Sequence, residues 1–109
     1  MSMELAIQAI AEPRRREILR VIGDRECSVG EIAGQFDVPR PAISQHLRVL
    51  KEAGLVVERR EGTRRLYRAR PEGLAELRAY IEGFWDRRLD ALKAAAEQEQ
   101  QEERRRDGR

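Results

Sequence analysis

The stretch that decides the fold is RPAISQHLRVLKEA, residues 40–53. Ile43, Leu47 and Leu50 recur there at helical spacing, and Pro41 stands in what would be the first turn. This pattern predicts a helix with one buried face. A step of about 100° per residue puts the opposite face on Pro41, Ser44, Gln45, Arg48 and Glu52.

A β-hairpin is predicted to follow this helix. Gly54 stands at the helix end, and two short runs containing Leu, Val and Tyr follow at 55–60 and 64–69. Between them, Gly62 accepts a positive φ without strain. We therefore expect a two-stranded wing over residues 55–69.

Three helices are predicted before residue 40. The first covers residues 3–11, and the second carries an apolar stripe as far as Gly23. Ser28-Val29-Gly30-Glu31 has the S-x-x-E pattern of a capping box, in which the hydroxyl and the carboxylate each accept a hydrogen bond from a backbone amide. A short third helix is therefore expected to begin at Val29.

A long amphipathic helix is predicted from Pro71, because apolar residues recur every three or four positions as far as Ala96. Beyond that point the chain is Glu, Gln and Arg without apolar periodicity, which is typical of disorder. The sequence thus predicts one domain over residues 1–96 and a charged, disordered tail over residues 97–109.

Positive charge is concentrated in one third of the chain. Residues 40–70 hold nine Arg and Lys against three Glu, a net charge of +6, whereas the whole chain carries +2. Such a concentration is typical of a surface that binds a polyanion. A solvated charged face is the alternative interpretation.

The order of short helix, turn, polar-faced helix and basic hairpin is that of a winged helix-turn-helix. We predict a mainly α fold with a small β-hairpin wing, whose helix 40–53 reads the DNA major groove. Gln45 suits adenine, Arg48 suits guanine or phosphate, and His46 is either structural or a neighbour of the phosphate backbone. The predicted DNA-contacting residues are Arg40, Pro41, Ser44, Gln45, His46, Arg48, Lys51, Arg59, Arg60, Arg64 and Arg65.

The chain resembles the ArsR family of bacterial winged-helix repressors over residues 5–95. The resemblance rests on RPAISQHLRVLKEAGLV from residue 40, REGTRRLY from residue 60 and AEPRRREIL from residue 11. It implies a homodimer joined through its first and last helices, bound to a double-stranded operator of two-fold symmetry and acting as a repressor. The expected dimerisation residues are Leu5, Ala9, Leu77, Ile81, Phe84, Trp85, Leu89 and Leu92.

The sequence departs from the metal-sensing branch of that family and resembles its metal-independent branch, whose members are often autorepressors. The metal-sensing branch carries paired cysteines in the third helix, where this chain reads EIAGQF, and the last helix holds no histidine. Transition-metal sites need several nitrogen or sulfur ligands, and the chain has one Cys and one His. We expect no metal and no cofactor.

Pro39 stands where the family more usually has a serine at the start of the recognition helix. This replacement removes a side-chain cap, so the sequence does not determine the residue at which that helix begins.

Several alternatives stay open. Cys27 precedes a helix N-terminus, which lowers a thiol pKa and would allow a thiol-switched repressor; a packed cysteine is the competing interpretation. Phe84 and Trp85 belong either to the dimer core or to an effector pocket. A winged helix also serves as a protein–protein interaction module, but the basic wing beside Gln45 favours DNA. An enzyme is disfavoured, because no nucleophile–base pair is recognisable.

The composition favours a small protein that associates with itself. At 109 residues, with 39% charged and 5% aromatic residues, the chain buries only a small core, and a second copy is expected to cover further apolar surface. No apolar run is long enough to span a membrane and no leader pattern is present, so we expect a cytoplasmic protein without a membrane partner.

Overall fold

In a computed structural model, which describes residues 3–108, the chain is mainly helical with a small antiparallel sheet, and this confirms the predicted fold class. Contacts divide the chain into two units, with the boundary between Leu77 and Arg78. The helices are α1 (Met3–Ala11), α2 (Pro13–Val21), α3 (Val29–Ala33), α4 (Arg40–Glu52) and α5 (Pro71–Asp107), and the strands are β1 (Cys27–Ser28), β2 (Val56–Glu61) and β3 (Arg64–Ala69).

A charged junction joins the first two helices. Pro13 occupies the first turn of α2, and the Glu12 carboxylate caps that helix by accepting a backbone hydrogen bond at 2.8 Å. Arg15 and Arg16 donate to backbone carbonyls in the last turn of α1 at 2.6 and 2.7 Å. Such carbonyls lack partners within their own helix. This basic run therefore stabilises a helix end.

The sheet has a third strand that the sequence analysis did not predict. Cys27 pairs with Tyr67 and Ser28 with Leu66, which gives the strand order β1-β3-β2. A two-residue strand shows no alternation from which to recognise it. The capping box is confirmed, because the Ser28 hydroxyl accepts a hydrogen bond from the Glu31 amide at 3.1 Å and the Glu31 carboxylate accepts one from the Ser28 amide at 3.2 Å.

Helix α4 packs with one face inside the core. Ile43, Leu47 and Leu50 are completely buried, as their spacing predicts. Their burial sets the rotation of α4 about its axis and leaves its polar face exposed. Other residues of the core are Ala6, Ala9, Ile18, Ile22, Cys27, Ile32, Ala53, Leu55, Val56, Leu66, Tyr67, Ala69 and Leu77.

Two glycines shape the chain around the hairpin. Gly54 has a φ of 76° and follows the end of α4, which stops at Glu52 rather than at residue 53. Gly62 has a φ of 62° in the hairpin turn. Strand β2 begins and ends one residue later than predicted. Its first paired residue is Val56, opposite Ala69, and its last is Glu61, opposite Arg64.

Helix α5 is longer than the sequence predicts. It continues to Asp107, so the disorder expected for residues 97–109 is not found in the described part of that segment; residue 109 lies outside the described residues. Ala, Glu, Gln and Arg are strong helix formers. The segment is exposed on all sides, which is why apolar periodicity gave no signal for a helix there.

A close backbone contact makes Gly73, at the start of α5, sensitive to substitution. A β-carbon at Gly73 would overlap the backbone carbonyl oxygen of Gly54. We expect Gly73→Ala to lower the free energy of unfolding by about 1–3 kcal/mol, measured by chemical denaturation. Gly83→Ala is the matched control, because its new methyl group meets no atom within 4 Å and alanine favours a helix. Equal stability of the two variants would contradict this contact.

Candidate nucleic-acid interface

The exposed face of α4 and the hairpin β2–β3 line one open cleft. Ser44 and Gln45 are exposed on α4, and the side chain of Arg48 is 70% exposed. Their outward orientation follows from the buried stripe on the other side of the helix. The predicted contact residues that line the cleft are Arg40, Pro41, Ser44, Gln45, Arg48, Lys51, Arg64 and Arg65.

Three predicted contact residues do not line the cleft within the described part of the chain. His46 is half-buried, with its Nδ1 3.4 Å from Nη1 of Arg15 on α2. Burial, followed by the Arg15 charge, lowers the pKa of His46, which supports the structural interpretation of this residue. Arg59 donates from Nε to Oε2 of Glu26 at 3.1 Å, and Arg60 is exposed elsewhere on the wing.

Glu58, on β2 of the wing, is a carboxylate of the cleft that the sequence analysis did not single out. Lys51 Nζ is 2.9 Å from Oε2 of Glu58, and Arg65 Nε is 3.6 Å from its Oε1. The side chain of Glu58 is only 15% exposed. The hydrogen bond from Lys51 is the main cause that lowers the pKa of Glu58, so this carboxyl group is ionised at neutral pH. Finding this residue from the sequence would have required the register of the two wing strands.

Two further ion pairs hold cations of the cleft. Arg48 pairs with Glu52 one helical turn away at 3.3 Å, and Arg64 pairs with Glu31 at 2.9 Å. The pKa of Glu31 is lowered first by the backbone amide of Ser28, then by its hydroxyl, with a smaller contribution from Arg64. The capping box of α3 is thus connected to the wing.

Cys27 lies in the core. Its side chain is fully buried in β1, and this burial raises the pKa of the thiol. The sequence-based hypothesis required the opposite, a pKa lowered by the dipole of α3. Because the thiolate is the reactive form of cysteine, the structure disfavours a thiol switch at this residue.

The predicted dimerisation residues differ in exposure. Ala9 and Leu77 are 0% and 4% exposed, so they belong to the core of the protomer and not to an interface. Ile81 is half-buried. Exposed members of the set are Leu5, Phe84, Trp85, Leu89 and Leu92, and Ile7 and Tyr80 are exposed as well although they were not predicted.

Comparison with known proteins agrees with this geometry. Residues 12–57 match the family model described as "Bacterial regulatory protein, arsR family". The HTH-type transcriptional regulator Rv2034 of Mycobacterium tuberculosis is 48% identical over 88 residues, which cover 81% of this chain and 82% of that protein. The chain belongs to the ArsR family. It is a DNA-binding winged helix-turn-helix transcriptional regulator.

Two other regulatory proteins are similar to this chain. The transcriptional repressor SdpR of Bacillus subtilis is 37% identical over 60 residues, 55% of this chain and 67% of that protein. A solution structure of the homodimeric winged helix-turn-helix DNA-binding domain Mb0332 of Mycobacterium bovis, a possible ArsR-family regulator, matches with a TM-score of 0.63 at 36% identity. This match covers 76% of the present chain and 77% of the Mb0332 chain.

The described residues offer neither a cluster of metal ligands nor a helix that could span a membrane. Within residues 3–108, no three His, Cys, Asp or Glu side chains are grouped so that they could hold a metal ion. In the same residues, no helix has the length and apolar character needed to cross a membrane.

The burial of Cys27 predicts a thiol that reacts slowly in the folded protein. We expect alkylation by iodoacetamide, followed by mass spectrometry, to be at least about tenfold slower in buffer than in denaturant. Mild oxidation is expected to leave DNA binding unchanged in the wild type and in Cys27→Ser. A loss of binding in the wild type alone would restore the thiol-switch hypothesis.

Proposed function

We propose that this ArsR-family protein is a homodimeric repressor that inserts α4 into the major groove of a two-fold symmetric operator. The wing β2–β3 would contact the phosphate backbone or the minor groove. The observation that carries this proposal is the cleft that the polar face of α4 shares with Arg64 and Arg65 of the wing. Base readout needs donors and acceptors on an exposed helix face, and phosphate binding needs cations beside it.

Gln45 and Arg48 are the residues proposed to read bases. A glutamine amide pairs with the N6 and N7 edge of adenine, and an arginine guanidinium pairs with O6 and N7 of guanine. Arg48 would exchange its exposed pair with Glu52 for a base, at a small cost because exposed ion pairs contribute little. Ser44 offers a hydroxyl to a base edge or the backbone, and Arg40 at the helix start is placed for a phosphate.

The wing residues proposed to contact the backbone or minor groove are Arg60, Arg64 and Arg65. Among residues 3–108, Arg60 forms no ion pair and is therefore available to DNA. Arg59 is held by Glu26 and Glu61, which makes it the least available of the predicted wing contacts.

The second copy is proposed to pack on exposed apolar residues of α5. Trp85, Leu89 and Leu92 are 55%, 57% and 66% exposed, and a row of large apolar side chains is typical of an interface. Leu5 of α1 is exposed as well and is proposed as a second contributor. A dyad would place the two recognition helices on half-sites about 34–36 Å apart, or a multiple of that distance.

Repression would follow from occupation of a promoter by this dimer in the cytoplasm, where the DNA lies. The name of the related SdpR supports the sign of regulation. We propose regulation without a transition metal, because the chain offers one Cys, which is buried, and one His. Reporter expression from a target promoter should rise when the protein is removed; a fall would indicate an activator.

The proposed base contact predicts a sequence-dependent loss in Gln45→Ala. We expect this variant to lose about 1–3 kcal/mol of binding free energy for a duplex selected by the wild type, and little for random-sequence DNA. Fluorescence anisotropy titration measures both. Gln35→Ala, which removes an exposed glutamine outside the cleft, is the control. An equal loss on both duplexes would reassign Gln45 to the backbone.

The proposed interface predicts that Trp85→Glu shifts the protein from dimer to monomer in sedimentation. The side chain is already exposed, so circular dichroism should show the helix content of the wild type. Affinity for the full operator should fall, because each monomer binds one half-site. Gln98→Glu adds the same charge to α5 and should remain dimeric. A dimeric Trp85→Glu would contradict this interface.

A further inference from the structure

We propose that Glu58 is a specificity-determining residue, whose carboxylate holds Lys51 and Arg65 as a phosphate would and so weakens binding to DNA of arbitrary sequence. This inference rests on the proposed function. Glu58 is an acidic residue that lines a cleft formed largely by basic and polar side chains.

The geometry shows one carboxylate shared by two structural elements. Glu58 lies on β2, and its two oxygens face different cations: Oε2 faces Lys51 of α4 at 2.9 Å, and Oε1 faces Arg65 of β3 at 3.6 Å. The residue therefore links the recognition helix to the wing. A pair within one element, such as Arg48 and Glu52, makes no such link.

The three side chains differ in exposure in a way that suits this role. Glu58 is 15% exposed, whereas Lys51 is 53% and Arg65 55% exposed. The anion thus lies at the base of the cleft while both cations keep donors directed to solvent. An ammonium group has three donors and a guanidinium group five, so each cation can bind Glu58 and a phosphate together.

The consequence for DNA binding follows from the charge balance. Lys51, Arg65 and Glu58 together carry a net charge of +1, and the attraction for any phosphate backbone is reduced accordingly. Binding to arbitrary DNA depends mostly on this charge, whereas binding to the operator also depends on base contacts from a correctly positioned α4. Without Glu58 the backbone attraction would rise for both kinds of DNA, but the link between α4 and the wing would be lost, and only binding to the operator depends on that link.

The test compares E58Q with the wild type by anisotropy titration over a range of salt concentrations. The two probes are a random-sequence duplex and a duplex selected by the wild type from a random library. For E58Q we expect about three- to tenfold tighter binding to the random duplex at low salt and a salt slope steeper by about one unit. Affinity for the selected duplex should change by less than about twofold, because the stronger backbone attraction is offset by the lost link between α4 and the wing, so the ratio of the two affinities falls.

Three further variants separate the shared carboxylate from net charge. E17Q removes the same charge from α2, where Glu17 pairs with Arg14 outside the cleft, and should behave as the wild type. E58D keeps the charge and should keep the wild-type salt slope. If E58Q does not fold, E58A replaces it and should show the tighter binding to the random duplex and the steeper salt slope.

Equal shifts in E58Q and E17Q, or an unchanged affinity ratio in E58Q, would overturn the proposal for Glu58. A wild-type protein that binds neither duplex would refute the proposed function itself, and the role of Glu58 with it.

Discussion

The complete burial of Ile43, Leu47 and Leu50 is the constraint on which the rest of the site depends. These side chains anchor α4 in the core and leave it only one rotation about its axis. Because that rotation is set from inside, the polar residues on the other side, Ser44 and Gln45 among them, form a fixed surface before any ligand is present. A loss of apolar volume beneath α4 would therefore disturb recognition as well as stability.

Ion pairs connect the wing to both α4 and α3. Glu58 connects β2 to Lys51 and Arg65, and Glu31 connects the capped start of α3 to Arg64. Exposed ion pairs contribute little stability one at a time. Their larger effect is on position, because they keep long cationic side chains within the cleft. The same carboxylates reduce the positive potential that DNA encounters. They therefore position the cationic side chains but weaken the attraction for DNA of any sequence.

Much of the fold was predictable because its signals are local. The apolar stripe of α4, the capping box at Ser28 and the hairpin around Gly62 each depend on residues a few positions apart. Strand β1 was missed because two residues pair with a strand 40 positions later, from Cys27 to Tyr67. The extent of α5 was missed because an exposed helix has no apolar period.

The sequence predicts most of the cations that line the cleft, but it does not predict which carboxylates pair with them. Helical periodicity shows which cations share a face of α4, but the pairing of Glu58 with Lys51 and Arg65 depends on strand register. The inward position of Ala9 and Leu77 was missed for a related reason, since an apolar stripe does not distinguish the core of a protomer from an interface between two copies.

The most direct measurement is selection of duplexes from a random-sequence library by the purified wild-type protein, with sequencing after each round. We expect enrichment of a motif with a dyad, whose half-site centres lie about 34–36 Å or a multiple of that distance apart, whether or not a metal chelator is present. A library whose composition does not change, or an enriched site without a dyad, would contradict the claim that two copies read DNA with α4.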